Sequence, residues 1–226
     1  MDIRFTDAGV SFGQRVAVAP VSLHLLERRI GIIGLNGSGK TTFARMINGL
    51  VKPTHGHVSV NGLDTVADDK AVLGEAGFIF QNPQHQLIMP IVRDDIAFGL
   101  KNRGLQKDEI AERTEAVLDR FDIAHLARRR VHELSGGETQ LVAMASVVVT
   151  DPNILILDEP TNQLDLRNRR LVSQSIDTLD QQVVVISHDL GLIEGFERVL
   201  LFHEGRLMAD DYPQLAIRRY HQVAGC

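Results

Sequence analysis

Two glycine-rich stretches in this chain, "GLNGSGKT" at residues 34–41 and "LSGGE" at 134–138, have the composition of loops that hold a phosphate. The first fits G-x-x-x-x-G-K-[ST], with Gly34, Gly39, Lys40 and Thr41 at the fixed positions and Leu35, Asn36, Gly37 and Ser38 between them. Small residues there let consecutive backbone N–H groups curl around phosphate oxygens, and the helix expected to start at Thr41–Thr42 adds the positive end of its dipole. Lys40 reaches the β- and γ-phosphates of a nucleotide, and the Thr41 hydroxyl is offered to Mg²⁺. A third stretch, "ILILDEP" at 154–160, is an apolar run ending in two acids. At the carboxyl end of a buried strand, Asp158 can hold the Mg²⁺ shell while Glu159 orients and deprotonates an attacking water. The chemistry expected is hydrolysis of ATP with Mg²⁺.

These residues need a scaffold, and the sequence describes one. Short apolar runs rich in β-branched residues recur as "VSLHLL" at 21, "RIGIIG" at 29, "HVSV" at 57, "GFIF" at 77, "NILILD" at 153, "VVVIS" at 183 and "RVLLF" at 198. Several are separated by helix-length segments, which predicts a mainly parallel α/β sheet. The turn-rich flanks of "AGVSFG" and "HVSVNG" suit an antiparallel flap, and "LFHEGRL" at 201–207 suits a hairpin turning at Glu204–Gly205. From about 91 to 150 no strand-like run occurs until "SVVV" at 146–149, while Ile110, Val117, Leu118 and Phe121 recur at helical spacing. The expectation is one domain over 1–226: a core with its flap at 1–81 and 151–226, and a helical insertion at 82–150 carrying the second glycine stretch.

Composition narrows the classes further. The 226 residues are 44% hydrophobic and 23% charged, an ordinary globular mixture, and the longest apolar runs are strand-sized. "MDIRF" lacks the pattern of a signal peptide and Cys226 has no partner cysteine in the chain, which predicts the cytoplasm. A net charge of -5 argues against nucleic acid as a partner, so "ARRR" at 127–130 and "RNRR" at 167–170 read as solvated helix faces. His55 and His57 flank Gly56 with no cysteine or carboxylate cluster near them in sequence, and read as surface residues rather than metal ligands.

"LSGGE", followed by the helix-like "TQLVAMASVVV" and lying between the phosphate loop and "LDEP", resembles the signature of ABC-type ATPases. The resemblance runs over essentially the whole chain and implies further roles. Gln81 matches the glutamine that touches Mg²⁺ and the nucleophilic water, His188 the histidine that contacts the γ-phosphate, and Phe12 the aromatic that stacks on adenine. In that family two subunits meet head to tail, so Ser135, Gly136, Gly137 and Glu138, with Asp165 of "TNQLD", would serve the nucleotide of the second copy. A homodimer is the expected assembly. Two departures stand out: Glu138 where Gln is usual, which puts a negative charge near the nucleotide, and Leu141 where Arg is common.

"QNPQHQLIMPIVRDDIAFGL" at 81–100 is similar to the matching stretch of energy-coupling factor importers, through Asn82, Pro83, Gln86, Asp95, Phe98 and Gly99. The similarity implies a coupling segment that contacts a transmembrane coupling subunit, with a separate substrate-binding membrane subunit, and a peripheral place on the cytoplasmic face of the inner membrane. "LSGGETQ" and "EPTNQLDLRNRR" are most similar to the biotin importers of this group. Cobalt or nickel importers are the nearest alternative. A different class, ribosome-associated ABC ATPases, shares "EPTNQLD" but carries two ATPase domains and a long charged linker that this chain lacks.

Overall fold

A computed structural model describes residues 1–225, which form two compact units; Cys226 lies outside the described residues. The first unit holds residues 1–78, 153–159 and those from 180 on, and the second holds 79–152 and 160–179.

Along the chain, β1 (Ile3–Phe12), β2 (Arg15–Leu25) and β3 (Arg29–Gly34) lead to α1 (Lys40–Ile47). There follow β4 (His55–Val60), β5 (Leu63–Asp64), α2 (Asp69–Glu75) and β6 (Ala76–Ile79). The second unit then contributes α3 (Val92–Asn102), α4 (Lys107–Arg120) and α5 (Gly136–Val148), and after β7 (Ile154–Asp158) also α6 (Leu166–Asp177). The chain continues with β8 (Gln182–Ile186), α7 (Leu190–Ile193), β9 (Arg198–His203), β10 (Arg206–Asp211) and α8 (Pro213–Ala224).

The first unit contains a six-stranded sheet in the order β10-β9-β3-β8-β7-β6 and a four-stranded antiparallel flap in the order β2-β1-β4-β5. β3, β7, β8 and β9 run parallel. β7 and β8 are buried along their whole length, which is why their sequences are unbroken apolar runs instead of alternating ones. The β9–β10 hairpin turns through Glu204 and Gly205 at φ 47° and 75°, the left-handed pair a tight two-residue turn requires. The helix behind the phosphate loop is anchored by Phe43, whose ring stacks on Phe5 of the flap at 4.3 Å and packs against Phe202 of β9 at 4.8 Å.

In the second unit α5 packs against α3, α4 and α6. α3 buries Val92, Ile96, Ala97 and Leu100. α5 buries Leu141 through Ala145 without interruption, so it lies at the centre of this unit. "SVVV" is the end of α5 and no strand; a short β-branched run has no period that separates a buried helix from a buried strand. "RNRR" lies on α6 with Arg167, Arg169 and Arg170 exposed. "ARRR" is not on a helix: it follows a single 3₁₀ turn at Ala124–Leu126 and runs into a bridge between Arg130 and Ile91. No helix among the described residues is long and apolar enough to cross a membrane.

Candidate active site

In the first unit the loop of residues 34–41 joins β3 to α1. Gly39 has φ 97°, and a Cβ placed on it would stand 2.4 Å from the Ala17 carbonyl oxygen, so both conformation and space demand glycine. Lys40 is 6% exposed, and its ammonium donates to the carbonyls of Gly34 at 2.7 Å and Leu35 at 2.9 Å. Burial pulls its pKa down while the charges of Glu159 and Asp158 push it back up.

Asp158 ends β7 and pairs in register with Ile186 at the end of β8, so the acids and the residues after β8 meet at the carboxyl edge of adjacent parallel strands. The Thr41 hydroxyl donates to Asp158 Oδ1 at 3.1 Å, which brings together the two oxygen groups that the sequence assigns to magnesium. Burial raises the Asp158 pKa, opposed by the Thr41 hydrogen bond and by Arg45 and Lys40. Glu159 takes a left-handed φ of 52°, a conformation that costs of order 1 kcal/mol in a non-glycine residue. Its N–H donates to the Ile186 carbonyl at 2.9 Å, which helps hold that conformation. Its carboxylate accepts the His188 N–H at 3.1 Å and faces His188 Nε2, also at 3.1 Å. Nε2 lies 3.0 Å from Asn36 Oδ1 as well. Both neighbours of Nε2 are oxygens and a carboxylate can only accept, so Nε2 carries the ring proton. Burial, then Lys40, lowers the His188 pKa, favouring the neutral ring, and burial raises that of Glu159. Phe12, at the end of β1, is 59% exposed and so presents an open ring face.

The second unit holds the other sequence candidates. Ser135 is the N-cap of α5, its hydroxyl accepting the Glu138 N–H at 3.4 Å while Glu138 Oε2 accepts the Ser135 N–H at 2.7 Å. Arg129 stands 3.3 Å from Glu138 Oε1 and donates to the Glu133 carbonyl at 2.8 Å. One member of "ARRR" is therefore an ion-pair partner and not merely solvated, a role no regular spacing in the sequence would disclose. A Cβ on Gly137 would stand 2.3 Å from Asn168 Oδ1, and Asn168 is held by Asp165, which caps α6 through the Asn168 N–H at 2.8 Å. Gln81, Asn82, Gln140 and Asn162 line a cavity of about 370 Å³ in this unit.

The coupling segment is partly exposed and partly internal. Asn82 is exposed and precedes a 3₁₀ turn opened by Pro83; Gln86 Oε1 accepts the Phe80 N–H at 3.1 Å, and Phe98 is half-buried. Asp95, expected to touch a partner, is 6% exposed and bonds inside its own unit instead. His55 and His57 are exposed, as expected, and His55 Nε2 lies 2.6 Å from Asp7 Oδ2 at the surface. Among the described residues no group of three His, Cys, Asp or Glu is placed to hold a metal ion.

A phosphate loop facing an acid pair and a histidine at the carboxyl edge of a parallel sheet, together with a capped glycine pair on a separate helical unit, defines an ATP-hydrolysing nucleotide-binding protein. The chain belongs to the ABC transporter family, whose model matches residues 18–162. It is 63% identical over 224 residues to the biotin transport ATP-binding protein BioM of Rhizobium etli, covering 99% of this chain and 100% of that protein. It is 36% identical to the energy-coupling factor transporter ATP-binding protein EcfA1 of Halalkalibacterium halodurans, covering 95% of this chain and 81% of that protein. Among solved structures, a dimeric ATP-binding cassette in a post-hydrolysis state bound to ADP and phosphate superimposes with a TM-score of 0.82 at 26% identity, covering 93% of this chain and 98% of that one.

Proposed function

We propose that this chain is the ATP-hydrolysing subunit of an energy-coupling factor importer that carries biotin. The near full-length identity to a protein named for biotin transport carries this reading. Lys40 and the backbone of 34–41 bind the β- and γ-phosphates of ATP, and Phe12 stacks on the adenine. Thr41 and Asp158, hard oxygen donors already 3.1 Å apart, suit Mg²⁺; the ion would neutralise charge on the phosphates. Glu159 accepts a proton from water as the water oxygen bonds to the γ-phosphorus, and the bond from phosphorus to the β,γ-bridging oxygen breaks to give ADP and phosphate. The Nε2–H of His188, which faces Glu159 and Asn36, would donate to the γ-phosphate when ATP is bound.

Two copies act head to tail, with Ser135, Gly136 and Gly137 of the helical subdomain at 82–150 capping the nucleotide on the loop of the other copy, and Asp165 reaching across beside them. Closure on ATP and release after hydrolysis move a transmembrane coupling subunit through the segment at 81–100. The chain then sits peripherally on the cytoplasmic face of the inner membrane, and no residue of it touches the cargo.

The test is capture of membrane partners. Tagged Glu159→Gln chain, loaded with ATP and recovered from detergent-solubilised membranes of its native cell, should bring down two polytopic membrane proteins, one of which binds biotin. Ribosomal proteins without any membrane protein would overturn the transport reading.

A further inference from the structure

Asp95 carries a buried carboxylate that hydrolysis does not use. It sits in the first turn of α3, and its Oδ1 accepts the N–H groups of Ile88 at 2.6 Å and Met89 at 2.8 Å. Its Oδ2 accepts from the Ser146 hydroxyl on α5 at 3.0 Å. Ser146 also lies 3.0 Å from the Val142 carbonyl, so its one proton is shared between an acceptor on α3 and one on its own helix. Burying a carboxylate costs free energy unless its lone pairs are met, and here neutral donors on a loop and on another helix meet them. What the arrangement joins is informative. Ile88 is 69% exposed on the loop before α3, whereas Ser135 is the N-cap of α5.

A second connection runs beside the first. The N–H of Val131 donates to the Pro90 carbonyl at 3.0 Å, that of Val92 to Arg129 at 3.1 Å and that of Arg93 to Ala127 at 3.0 Å. Arg129 in turn pairs with Glu138, which caps Ser135. α3 and the end of α5 also lie close together, since a Cβ on Gly99 would come within 3.8 Å of the Ser146 carbonyl oxygen and 2.9 Å of Thr150 Cγ2 just beyond α5. The loop is thus tied to the start of the signature helix through one strand-like bridge and to its body through one buried carboxylate.

We propose that Asp95 and Ser146 form a strut that makes the exposed Ile88–Met89 loop and α5 move as one body, so that a displacement of Ser135 is delivered to whatever presses on Ile88. This rests on the reading of 81–100 as the coupling segment. Asp95 is a positioning residue: it touches neither nucleotide nor partner, and acts by removing slack between the two ends.

The test uses the complex purified through the tagged chain from native membranes and reconstituted in vesicles, reading biotin uptake per ATP hydrolysed. Ser146→Ala severs only the bond to α5, and should lower that ratio about three- to tenfold while ATP hydrolysis by the isolated chain changes less than about twofold. Asp95→Ala should lower the ratio at least as far. Asp95→Asn keeps an acceptor for the loop and offers its amide to the Ser146 oxygen, so it should restore most of the coupling. Ile88→Asp should also uncouple, by spoiling the exposed loop. If Ile88→Asp uncouples but Ser146→Ala and Asp95→Ala do not, the strut is wrong and the coupling segment stands. An unchanged ratio with Ile88→Asp removes the coupling segment and the strut together. Should Asp95→Ala fail to fold, Ser146→Ala alone decides.

Discussion

The carboxylate of Glu138 accepts the backbone N–H of Ser135 at 2.7 Å, and Arg129 lies 3.3 Å from its other oxygen. The charge that replaces the usual glutamine is therefore committed to the cap of its own helix and balanced by a cation. The Ser135 N–H bond holds the Glu138 pKa below the ordinary carboxylate range, against a burial effect that raises it.

Glu138→Gln keeps an acceptor for Ser135 and loses the ion pair, so it should leave ATP hydrolysis within about twofold and cost less than about 1 kcal/mol. Glu138→Ala leaves the Ser135 cap but removes the reciprocal hydrogen bond to the Ser135 N–H, and should cost about 1 kcal/mol, read as a lower midpoint in urea unfolding. Because the folded pKa is depressed, the stabilisation from Glu138 is present above the ordinary glutamate pKa and is lost as pH falls through the folded value. The difference in stability between wild type and Glu138→Ala should accordingly shrink in acid.

Glu159→Gln should bind ATP with near-normal affinity and hydrolyse it slower by about two to four orders of magnitude, since the carboxamide cannot take the water proton. Burial raises the Glu159 pKa, and the base works only when ionised. The acid limb of the kcat/KM profile, which reports the free enzyme, should therefore lie above the ordinary glutamate range. An acid limb at that ordinary value would separate the base from Glu159.

Lys40→Ala should weaken ATP binding by at least about tenfold, because it removes the buried ammonium, now held by the Gly34 and Leu35 carbonyls, that is proposed to meet the phosphates. Equilibrium titration with a fluorescent ATP analogue reads this directly. Unchanged affinity would count against the phosphate-loop assignment.

Much of this fold is legible in the sequence because its central strands are buried on both faces and its loops carry residues with positional demands. "NILILD" and "VVVIS" are continuous apolar runs for that reason, and Glu204–Gly205 has the left-handed turn its dipeptide suggests. Tertiary partners are not legible. Asp95 looks like a surface acid beside Asp94, yet it is buried because donors on the Ile88–Met89 loop and on α5 converge on it. Arg129 is one of three consecutive arginines, and only the fold brings it to Glu138. "SVVV" shows the same limit: its burial comes from the helices around α5, which a local window does not contain.

Arg198 supplies a stability test away from the site. It is bidentate to Asp210 at 2.6 Å through two nitrogens, and it reaches Glu27 at 3.1 Å and the His24 carbonyl at 2.7 Å, tying β9 to β10 and to the end of β2. Arg198→Ala should cost about 2 kcal/mol, and Arg198→Lys should recover only part of it, since an ammonium cannot match the fork. Nucleotide affinity of the folded fraction should be unchanged.

The central claim is that each nucleotide is completed by the glycine pair of a second copy, and the dependence of hydrolysis on protein concentration tests it most directly. The specific activity of the isolated chain should fall on dilution in step with loss of dimer measured by analytical ultracentrifugation. A specific activity that stays constant down to concentrations at which the protein is monomeric would contradict the account.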